Sequence, residues 1–441
     1  MNTRQPIQPV NTTAVLSVAI SFTGNRFITG LSDGFRCFRT DNCLTTYQPR
    51  LPADGGVAIA EALDDRYVAI VGGGRVPFAK RNIVVFWDCV LGKEVQRFDF
   101  HEPVVGIQLN ERWMVVLLRE RAVVFQYQEL APKQQPTPPS SPEIDLGGKN
   151  SPSEQGGVED EVIRAPNLIH SIHPTGPNPY ALATLSGDLL VMPSQTVGQV
   201  QLVPLQGGSK RILRAHQSTL RCMALSDDGT LLATASEQGT LFRVYHTKTL
   251  DQAAEFRRGV DPARTYSLAF SPNNRWLATT SDKGTLHVFD LRPPDPAASP
   301  WAPKVFKDVR SVASAAFYMG DDLPHWQGGT ATSYTTDPDG KKRKVKNDVL
   351  PLPNDPTGRP PKGVIAFKSR PKRDSPKNEK IVPATSKMDG SDDTGAVIYV
   401  IGGGSDARWE VFELRPVTDG LGGYGLVHKG FRKYLTRQFV D

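Results

Sequence analysis

Two adjacent arginines, Arg257 and Arg258, stand in the stretch AAEFRRGVDPAR between an aromatic residue and a glycine. A guanidinium group offers a planar fork of donors that matches the oxygens of a phosphate or a carboxylate. In an extended strand, neighbouring side chains lie on opposite faces, so the two arginines cannot easily bind one ligand. The pair therefore suggests two ligands, one on each side of a strand.

Polar residues lie around this pair in two nearly repeated stretches, TASEQGTLFRVY and TTSDKGTLHVF. Thr285 and His287 are two residues apart and share one strand face. Arg243 is three residues from Thr240, and we expect a β-bulge in TLFRVY to return it to the same face. With His216 from RAHQS, two polar groups result, which are His216, Ser236, Thr240 and Arg243, and Ser281, Lys283, Thr285 and His287.

Hydroxyls, an imidazole and an arginine together are typical of a site for an anion with several oxygens. No carboxylate cluster accompanies them, so we expect binding without a metal or a cofactor. Two alternatives stay open, because serine and threonine after hairpin turns often cap those turns and paired arginines often lie on a solvated edge. The chain contains no G-x-S-x-G, H-E-x-x-H, Walker A or Rossmann motif, which predicts that it is not an enzyme.

The elements that position these residues follow one pattern, a β-rich run, a tight turn of Gly, Ser or Asp, and a second β-rich run. The fifth and sixth copies are shifted by 45 residues, from Thr234 to Thr279. A period of this size is typical of propeller blades with four strands. We therefore predict an all-β, seven-bladed, WD40-like propeller over residues 1–441. The seven copies are RFITGLSDGFRCFRT, YVAIVGGGRVPFAKRNIVVFWD, WMVVLLRERAVVFQY, YALATLSGDLLVMP, LLATASEQGTLFRVYHT, WLATTSDKGTLHVFDL and AVIYVIGGGSDARWEVFEL.

Three segments interrupt the repeat. Residues 131–162 are rich in Pro, Ser and Gly and are predicted to be a disordered loop. Residues 291–326 follow the sixth copy and carry aromatic residues, while 327–394 are predicted to be a basic, mostly disordered insertion. Residues 341–380 hold 13 Lys and Arg against 4 Asp and Glu, whereas the whole chain has a net charge of only +6. The predicted propeller is therefore not basic, and composition alone does not favour nucleic acid.

Cysteine use and hydropathy limit the expected location. The four cysteines show no CxxC spacing, which favours reduced thiols in the cytosol or nucleus. The sequence has no run of eighteen apolar residues, and its polar N-terminus with two prolines is not typical of a secretory signal.

The stretches EFRRG, VDPARTYSLAFSP and SDKGTLHVF resemble the PROPPIN family, which includes the WIPI proteins. These are seven-bladed propellers that bind phosphoinositides, and VGGGRVPFAKRNIVVFWD is similar to their smaller-propeller subgroup. The resemblance implies pockets for phosphatidylinositol 3-phosphate or the 3,5-bisphosphate. It joins Arg257 to the first group (His216, Ser236, Thr240, Arg243) and Arg258 to the second (Ser281, Lys283, Thr285, His287).

The family also inserts a loop of its sixth blade into the bilayer. The matching segment, 291–326, holds interfacial aromatics interleaved with cations. An alternative is that Ala315–Tyr318 is a core strand. The residues implied in membrane insertion are Trp301, Phe306, Phe317, Tyr318 and Trp326.

The resemblance implies an autophagy or endosomal effector, cytoplasmic and peripheral on autophagosome-precursor, endosomal or vacuolar membranes. We expect a monomer that recruits the autophagy lipid-transfer protein through loops of the second and third blades, with GGGRVPFAKRN as the candidate contact. The basic stretch DGKKRKVKND departs from the family and reads either as a lipid-attracting patch or as a nuclear localisation signal. The alternatives are a WD40-like protein scaffold that ignores lipid and a nuclear factor that uses the lysine cluster, although no nucleic acid partner is expected.

Overall fold

A ring of seven antiparallel β-sheets forms the protein, as the sequence predicts. The computed structural model describes residues 13–51, 55–130, 163–292, 306–320, 329–336, 341–353, 357–368, 395–417 and 423–436. The innermost strands of successive sheets contact one another in order, and the first also contacts the last. Each sheet is therefore one blade of a closed propeller.

Blades 1 to 4 each contain four strands, taken in chain order from the centre outward. Their strands are β1 (Val15–Ile20), β2 (Arg26–Leu31), β3 (Gly34–Arg39), β4 (Thr45–Tyr47), β5 (Val57–Ala62), β6 (Tyr67–Gly72), β7 (Ile83–Asp88), β8 (Lys93–Asp99), β9 (Gly106–Leu109), β10 (Trp113–Leu117), β11 (Arg121–Leu130), β12 (Ile163–Pro174), β13 (Thr184–Ser186), β14 (Leu189–Pro193), β15 (Gln199–Pro204) and β16 (Arg211–Arg214).

Blades 5 to 7 contain the candidate site and the long insertions. Their strands are β17 (Leu220–Leu225), β18 (Leu231–Ser236), β19 (Leu241–His246), β20 (Gln252–Arg257), β21 (Thr265–Phe270), β22 (Trp276–Ser281), β23 (Thr285–Asp290), β24 (Phe306–Val309), β25 (Ala313–Ala316), β26 (Gly329–Thr336), β27 (Lys342–Val349), β28 (Val364–Phe367), β29 (Ala396–Ile401), β30 (Arg408–Pro416) and β31 (Tyr424–Lys433). β24 does not belong to blade 6 but pairs in parallel with β20, as a fifth strand of blade 5.

Apolar side chains are buried between blades, because each sheet has two faces and a neighbour on both sides. Seven clusters of buried side chains lie one at each interface between consecutive blades. Between blades 5 and 6, for example, the rings of Phe256 and Phe289 lie 4.9 Å apart. No blade could bury its faces alone, so the ring is the folding unit.

The ring closes between blades 7 and 1 without exchange of a strand. The backbone of Val15 and that of Gly404 make two hydrogen bonds of 2.9 Å, and the Trp409 Nε1–H donates to the Thr40 carbonyl oxygen (3.0 Å). Phe27 and Tyr434 pack in the cluster at this seam. Side-chain packing and a few hydrogen bonds therefore hold the two ends of the ring together.

Six of the seven predicted hairpins join the second and third strands of a blade, but the fourth does not. YALATLSGDLLVMP forms β13 and β14, the first and second strands of blade 4. The turn between the second and third strands of that blade instead contains Gly198, whose added Cβ would lie 2.1 Å from a backbone oxygen. The predicted hairpin is therefore present, but its place in the blade differs from that of the other six.

The boundaries around the sixth and seventh blades also differ from the prediction. Ala313–Ala316, assigned to the membrane-contacting loop, is the outer strand of blade 6, and Val364–Phe367, inside the predicted disordered insertion, is the inner strand of blade 7. The basic stretch contributes β27 to a hairpin with β26. Leu352, which follows this hairpin, is buried against Leu16 and Ala58, so part of the insertion packs on the ring. The predicted loop 131–162 lies outside the described residues.

Candidate functional site

The fourth strand of blade 5, β20, carries the first arginine of the pair at its last position. Phe256 points into the core between blades 5 and 6. Glu255 and Arg257 alternate with it and therefore belong to the opposite face, toward blade 4. The contacts of Glu255 confirm this side. Glu255 pairs with Arg243, and the Arg243 Nη1 donates to the Ala215 carbonyl oxygen at the end of blade 4 (2.7 Å).

Arg258 follows the strand and lies toward blade 6. Its backbone N–H donates to the Thr240 carbonyl oxygen (3.0 Å), and its side chain donates to the carbonyl oxygens of Gly239 (3.2 Å) and Asp261 (2.6 Å). The pKa of His287 in blade 6 is lowered first by burial and second by the positive charge of Arg258. The two adjacent arginines are thus directed to different blades.

The turn before Thr240 brings the second and third strands of blade 5 close to Arg258. Gly239 adopts φ = 59°, and a Cβ at this position would lie 1.7 Å from the Ala263 carbonyl oxygen. Only glycine fits this contact without a backbone shift. The same left-handed glycine recurs at Gly284 in blade 6, with φ = 67°.

Three members of the first predicted group, His216, Ser236 and Arg243, lie on the side of blade 5 that faces blade 4. His216 is buried and its Nε2 lies 3.0 Å from the Thr234 Oγ1. Burial and, secondly, the charge of Arg243 lower the pKa of His216 to about 4, so its ring is neutral at pH 7. Ser236 is buried at the start of the turn. Thr240 is half-buried at its other end, and its carbonyl oxygen accepts from the Arg258 N–H, so the structure places it beside Arg258 and not with Arg243.

Arg243 reaches its place without the predicted bulge. It pairs with Thr234 in a continuous register, as His287 pairs with Thr279 in blade 6. The one residue by which TLFRVY exceeds TLHVF lies in the turn between β18 and β19, which is one residue longer than the turn between β22 and β23. The prediction of a β-bulge in TLFRVY is therefore wrong. Arg243 nevertheless occupies the position that corresponds to His287.

The second predicted group centres on His287. Its Nε2 lies 3.1 Å from the Thr285 Oγ1, and its Nδ1 lies 3.1 Å from the Ser311 Oγ. Burial is the main cause that lowers its pKa. Ser281 is fully buried, and within the described part of the chain its Oγ has no hydrogen-bond partner. Lys283 is exposed at the tip of the turn.

Three contributing residues were missed by sequence reasoning. Glu255 forms an ion pair with Arg243 (2.8 Å), which places a negative charge within the first group; cross-strand pairing of an Arg with a Glu could have suggested it. Thr234 and Ser311 hold the two imidazoles. Ser311 returns from a long connection, and no local pattern would have placed it there.

The predicted membrane-inserting residues do not form one exposed set. Phe317 is 7% exposed and packs in the core between blades 6 and 7. Tyr318 donates its hydroxyl to Asp406 (2.8 Å), and the Arg408 guanidinium lies over its ring. These two residues fix blade 6 to blade 7 in the described structure and present no exposed aromatic pair, and their insertion into a bilayer stays a prediction.

Insertion of the other three predicted membrane residues into a bilayer stays a prediction. Phe306 begins strand β24, which pairs with β20. Trp301 and Trp326 lie outside the described residues.

The described ranges contain neither a candidate metal site nor a candidate membrane-spanning helix. No group of three or more His, Cys, Asp or Glu residues is arranged to hold a metal ion there. None of the helices in that part of the chain is long and apolar enough to cross a bilayer.

Comparison with known proteins identifies relatives over most of the chain. A family model described as BCAS3, WD40 repeat, matches residues 211–294. SVP1-like protein 2 of Emericella nidulans is 34% identical over 393 residues, which cover 84% of this chain and 97% of that protein. Autophagy-related protein 18e of Arabidopsis thaliana is 32% identical over 295 residues, 65% of this chain and 69% of that protein.

Solved structures share the fold at lower identity. Kluyveromyces lactis Hsv2 superposes with a TM-score of 0.62 and 17% identity, covering 96% of this chain and all of that one. A complex of KlAtg21 with the coiled-coil of AgAtg16 gives a TM-score of 0.54 at 16% identity, covering 95% of this chain and 99% of that one. With a relative of 34% identity matched along almost its whole length, this chain belongs to the PROPPIN family, the SVP1-like and Atg18-type autophagy-related propellers.

Proposed function

We propose that the protein is a non-enzymatic effector that binds phosphatidylinositol 3-phosphate and the 3,5-bisphosphate through two pockets, one on each side of the Arg257–Arg258 pair. The observation that supports this most directly is the direction of the two arginines. Arg257 shares a strand face with Glu255, toward blade 4, whereas Arg258 acts on His287 of blade 6. A scaffold that worked through its loops alone would not require adjacent arginines held toward two blades.

The neighbouring groups suit a phosphate monoester. Each side offers hydroxyls and an imidazole beside an arginine, and Ser281 has a buried hydroxyl with no partner among the residues described. Two weak pockets on one rigid body bind a membrane more tightly than either alone, because the second headgroup binds at a high effective concentration. Lys283, exposed at the turn, adds a positive charge at the second pocket.

The cellular role follows the family. We place the protein in the cytoplasm, on autophagosome-precursor, endosomal or vacuolar membranes, where it recruits autophagy proteins. The loop between β6 and β7 is the candidate contact for the autophagy lipid-transfer protein. KlAtg21, a structural relative, was solved in complex with the coiled-coil of AgAtg16, which supports a coiled-coil protein as a further kind of partner.

Co-sedimentation with vesicles tests the proposal. The native chain is compared with Arg257→Thr/Arg258→Thr on vesicles with phosphatidylinositol 3-phosphate and on vesicles with plain phosphatidylinositol. A matched control, Arg97→Thr/Arg112→Thr, removes two half-exposed arginines of blades 2 and 3. We expect selective binding that only the first double variant loses. Binding that ignores the phosphate, or survives the loss of both site arginines in a folded protein, would contradict the proposal.

A further inference from the structure

Two of the four cysteines, Cys37 and Cys89, lie on facing surfaces of blades 1 and 2. Cys37 belongs to β3, and Cys89 follows directly after β7. These strands are the third of their blades, so they run in the same direction in two neighbouring copies of one repeat. The two cysteines belong to different repeats of the sequence, and the packing of the blades brings them together.

The alternation of side chains along the two strands directs both thiols into one interface. Phe35 and Cys37 are two residues apart and share a face of β3, as Trp87 and Cys89 do at the end of β7. The rings of Phe35 and Trp87 pack edge to face across the interface, with centroids 6.4 Å apart. The next position on the same face of each strand is a cysteine, and both cysteines pack in the cluster between blades 1 and 2.

The two thiols are in contact and share Tyr47 as a neighbour. The Cys89 thiol donates a hydrogen bond to the Cys37 sulfur. Tyr47 pairs with Cys37 between β3 and β4, and its hydroxyl accepts from the Trp87 Nε1–H (3.0 Å). The pKa of Tyr47 is raised chiefly by burial, and the nearness of both sulfur atoms adds to this rise. The contact of the thiols is therefore part of an ordered cluster at the interface.

The two thiols differ in their access to water. Cys37 is 5% exposed, whereas Cys89 is half-buried at the start of the turn between β7 and β8. This turn is open to solvent, because Val90 and Leu91 are 66% and 40% exposed. A small oxidant can therefore reach Cys89, with the Cys37 sulfur directly behind it.

The other two cysteines are buried in different interfaces. Cys43 packs at the seam between blades 7 and 1, on the opposite side of blade 1 from Cys37. Cys222 packs between blades 5 and 6. Both residues therefore serve as controls for the reactivity of the pair.

We propose that Cys37 and Cys89 are a modification site at which a hydroperoxide forms a reversible disulfide between blades 1 and 2. In the first step, the Cys89 sulfur loses its proton and attacks one oxygen of hydrogen peroxide. The S–O bond forms, the O–O bond breaks, and the second oxygen leaves as water with the proton, so that Cys89 becomes a sulfenic acid.

The second step uses the neighbouring thiol. The Cys37 sulfur attacks the Cys89 sulfur, the S–S bond forms, the S–O bond breaks, and hydroxide leaves as water with the Cys37 proton. The two thiols together lose two electrons, and one peroxide is reduced to two waters. A thiol such as glutathione reverses the reaction by attack on the more exposed Cys89 sulfur.

The surroundings of Cys89 make the first step slow and dependent on pH. Its hydrogen bond to Cys37 and its burial raise the pKa of Cys89, and the charges of the nearby Asp88 and Asp64 add to this rise. Only the thiolate attacks peroxide, and below the pKa its fraction grows about tenfold with each pH unit. The rate of cross-linking should therefore be about tenfold higher at pH 8 than at pH 7.

Peptide mapping of the full-length chain tests the site. The reduced protein is exposed to millimolar hydrogen peroxide, its remaining thiols are alkylated in denaturant, and it is digested without reductant for mass spectrometry. We expect one cross-linked peptide pair, with Cys37 and Cys89, that disappears after treatment with dithiothreitol. The control Cys222→Ala should form the same cross-link at the same rate, whereas Cys89→Ser should leave Cys37 free for alkylation.

Other products in the native chain would overturn the proposal. Sulfinic acid at Cys89 while Cys37 still alkylates would show that the second thiol does not reach the first. A cross-link of Cys37 to Cys43, or a cross-linked dimer on a non-reducing gel, would assign the oxidation to another pair. An equal rate at pH 7 and pH 8 would contradict attack by the Cys89 thiolate.

The stability of the oxidised protein gives an independent measurement. The cross-linked chain should melt about 4 °C above the reduced chain, because the bond closes a long loop in the unfolded state. A lower melting temperature would mean that the bond strains the interface, and would contradict the argument from packing. The inference does not depend on the proposed lipid function, since the thiols lie in blades 1 and 2 and the arginine pair in blade 5.

Discussion

Glu255 gives the sharpest test of the first pocket, because it holds a negative charge where a phosphate is expected to bind. The Glu255 carboxylate lies 2.8 Å from the Arg243 Nε, and the two side chains are 17% and 26% exposed. A phosphate on the free edge of the same guanidinium would lie roughly 6 Å from that carboxylate. Glu255→Gln removes the charge but keeps an oxygen that accepts from Nε.

The expected gain in affinity follows from Coulomb's law. At roughly 6 Å, two unit charges repel by about 3 kcal/mol at an effective dielectric constant near 20 and by about 0.7 kcal/mol in water. Because both side chains are partly exposed, we expect about 1 kcal/mol, which is roughly a fivefold increase in affinity. The lost ion pair should lower the free energy of unfolding by no more than about 1 kcal/mol.

Isothermal titration with soluble inositol 1,3-bisphosphate measures this effect in an Arg258→Thr background, in which the second pocket is disabled. Asp251→Asn is the matched control, since Asp251 is an exposed carboxylate at the other end of the same outer strand. The gain should shrink at high salt. An unchanged or reduced affinity in folded Glu255→Gln would show that Arg243 does not face the headgroup, and the composition of the first pocket would have to be revised.

Three further outcomes are expected. The pKa of His216 is about 4 in the folded chain and near 6.5 in the unfolded chain, so its contribution to stability is complete above pH 6.5 and is lost as pH falls to 4. Urea unfolding between these pH values should show that the free energy of unfolding falls by about 3 kcal/mol, and this loss should be absent in His216→Asn. Headgroup affinity should rise as pH falls from 7 toward 5, since a bound phosphate favours the charged imidazoles of His216 and His287, and a flat titration would exclude both as ligands. Phe317→Ala should lower the free energy of unfolding by about 3 kcal/mol and leave vesicle binding by the folded protein unchanged. Unchanged stability together with weaker vesicle binding would instead identify Phe317 as a membrane residue.

The sequence predicted those features that local pattern determines. The 45-residue shift and the recurring turns led to the correct ring. The alternation of side chains in a strand predicted opposite directions for Arg257 and Arg258; Arg257 ends β20 on the face of Glu255, and Arg258, just after the strand, acts on His287 of blade 6. Thr285 and His287 were predicted to share a strand face, and the Thr285 Oγ1 lies 3.1 Å from the His287 Nε2. Each of these inferences depends on residues within one or two strands.

Features that depend on distant segments were not predictable in this way. Ser311 reaches His287 because the chain between β23 and β25 first pairs with blade 5, and no local period encodes that path. Phe317 has the composition of an interfacial anchor, yet it is buried because β28, almost fifty residues later, packs over it. Ala313–Ala316 is too short and too small in its side chains to be recognised as a strand from sequence.

The seam between blades 1 and 7 has a consequence for synthesis on the ribosome. The four strands of each blade follow one another in the chain, except that β24 joins blade 5 between the third and fourth strands of blade 6. Blades can therefore assemble largely in order as they emerge, each covering one face of the one before. The face of blade 1 that packs against blade 7, with the stacked rings of Phe27 and Phe38, is not fully covered until the strands of blade 7 and Tyr434 have been made. Until then the nascent protein carries an exposed aromatic surface, and such surfaces make partly folded chains prone to aggregation, so completion of blade 7 both closes the ring and removes this risk.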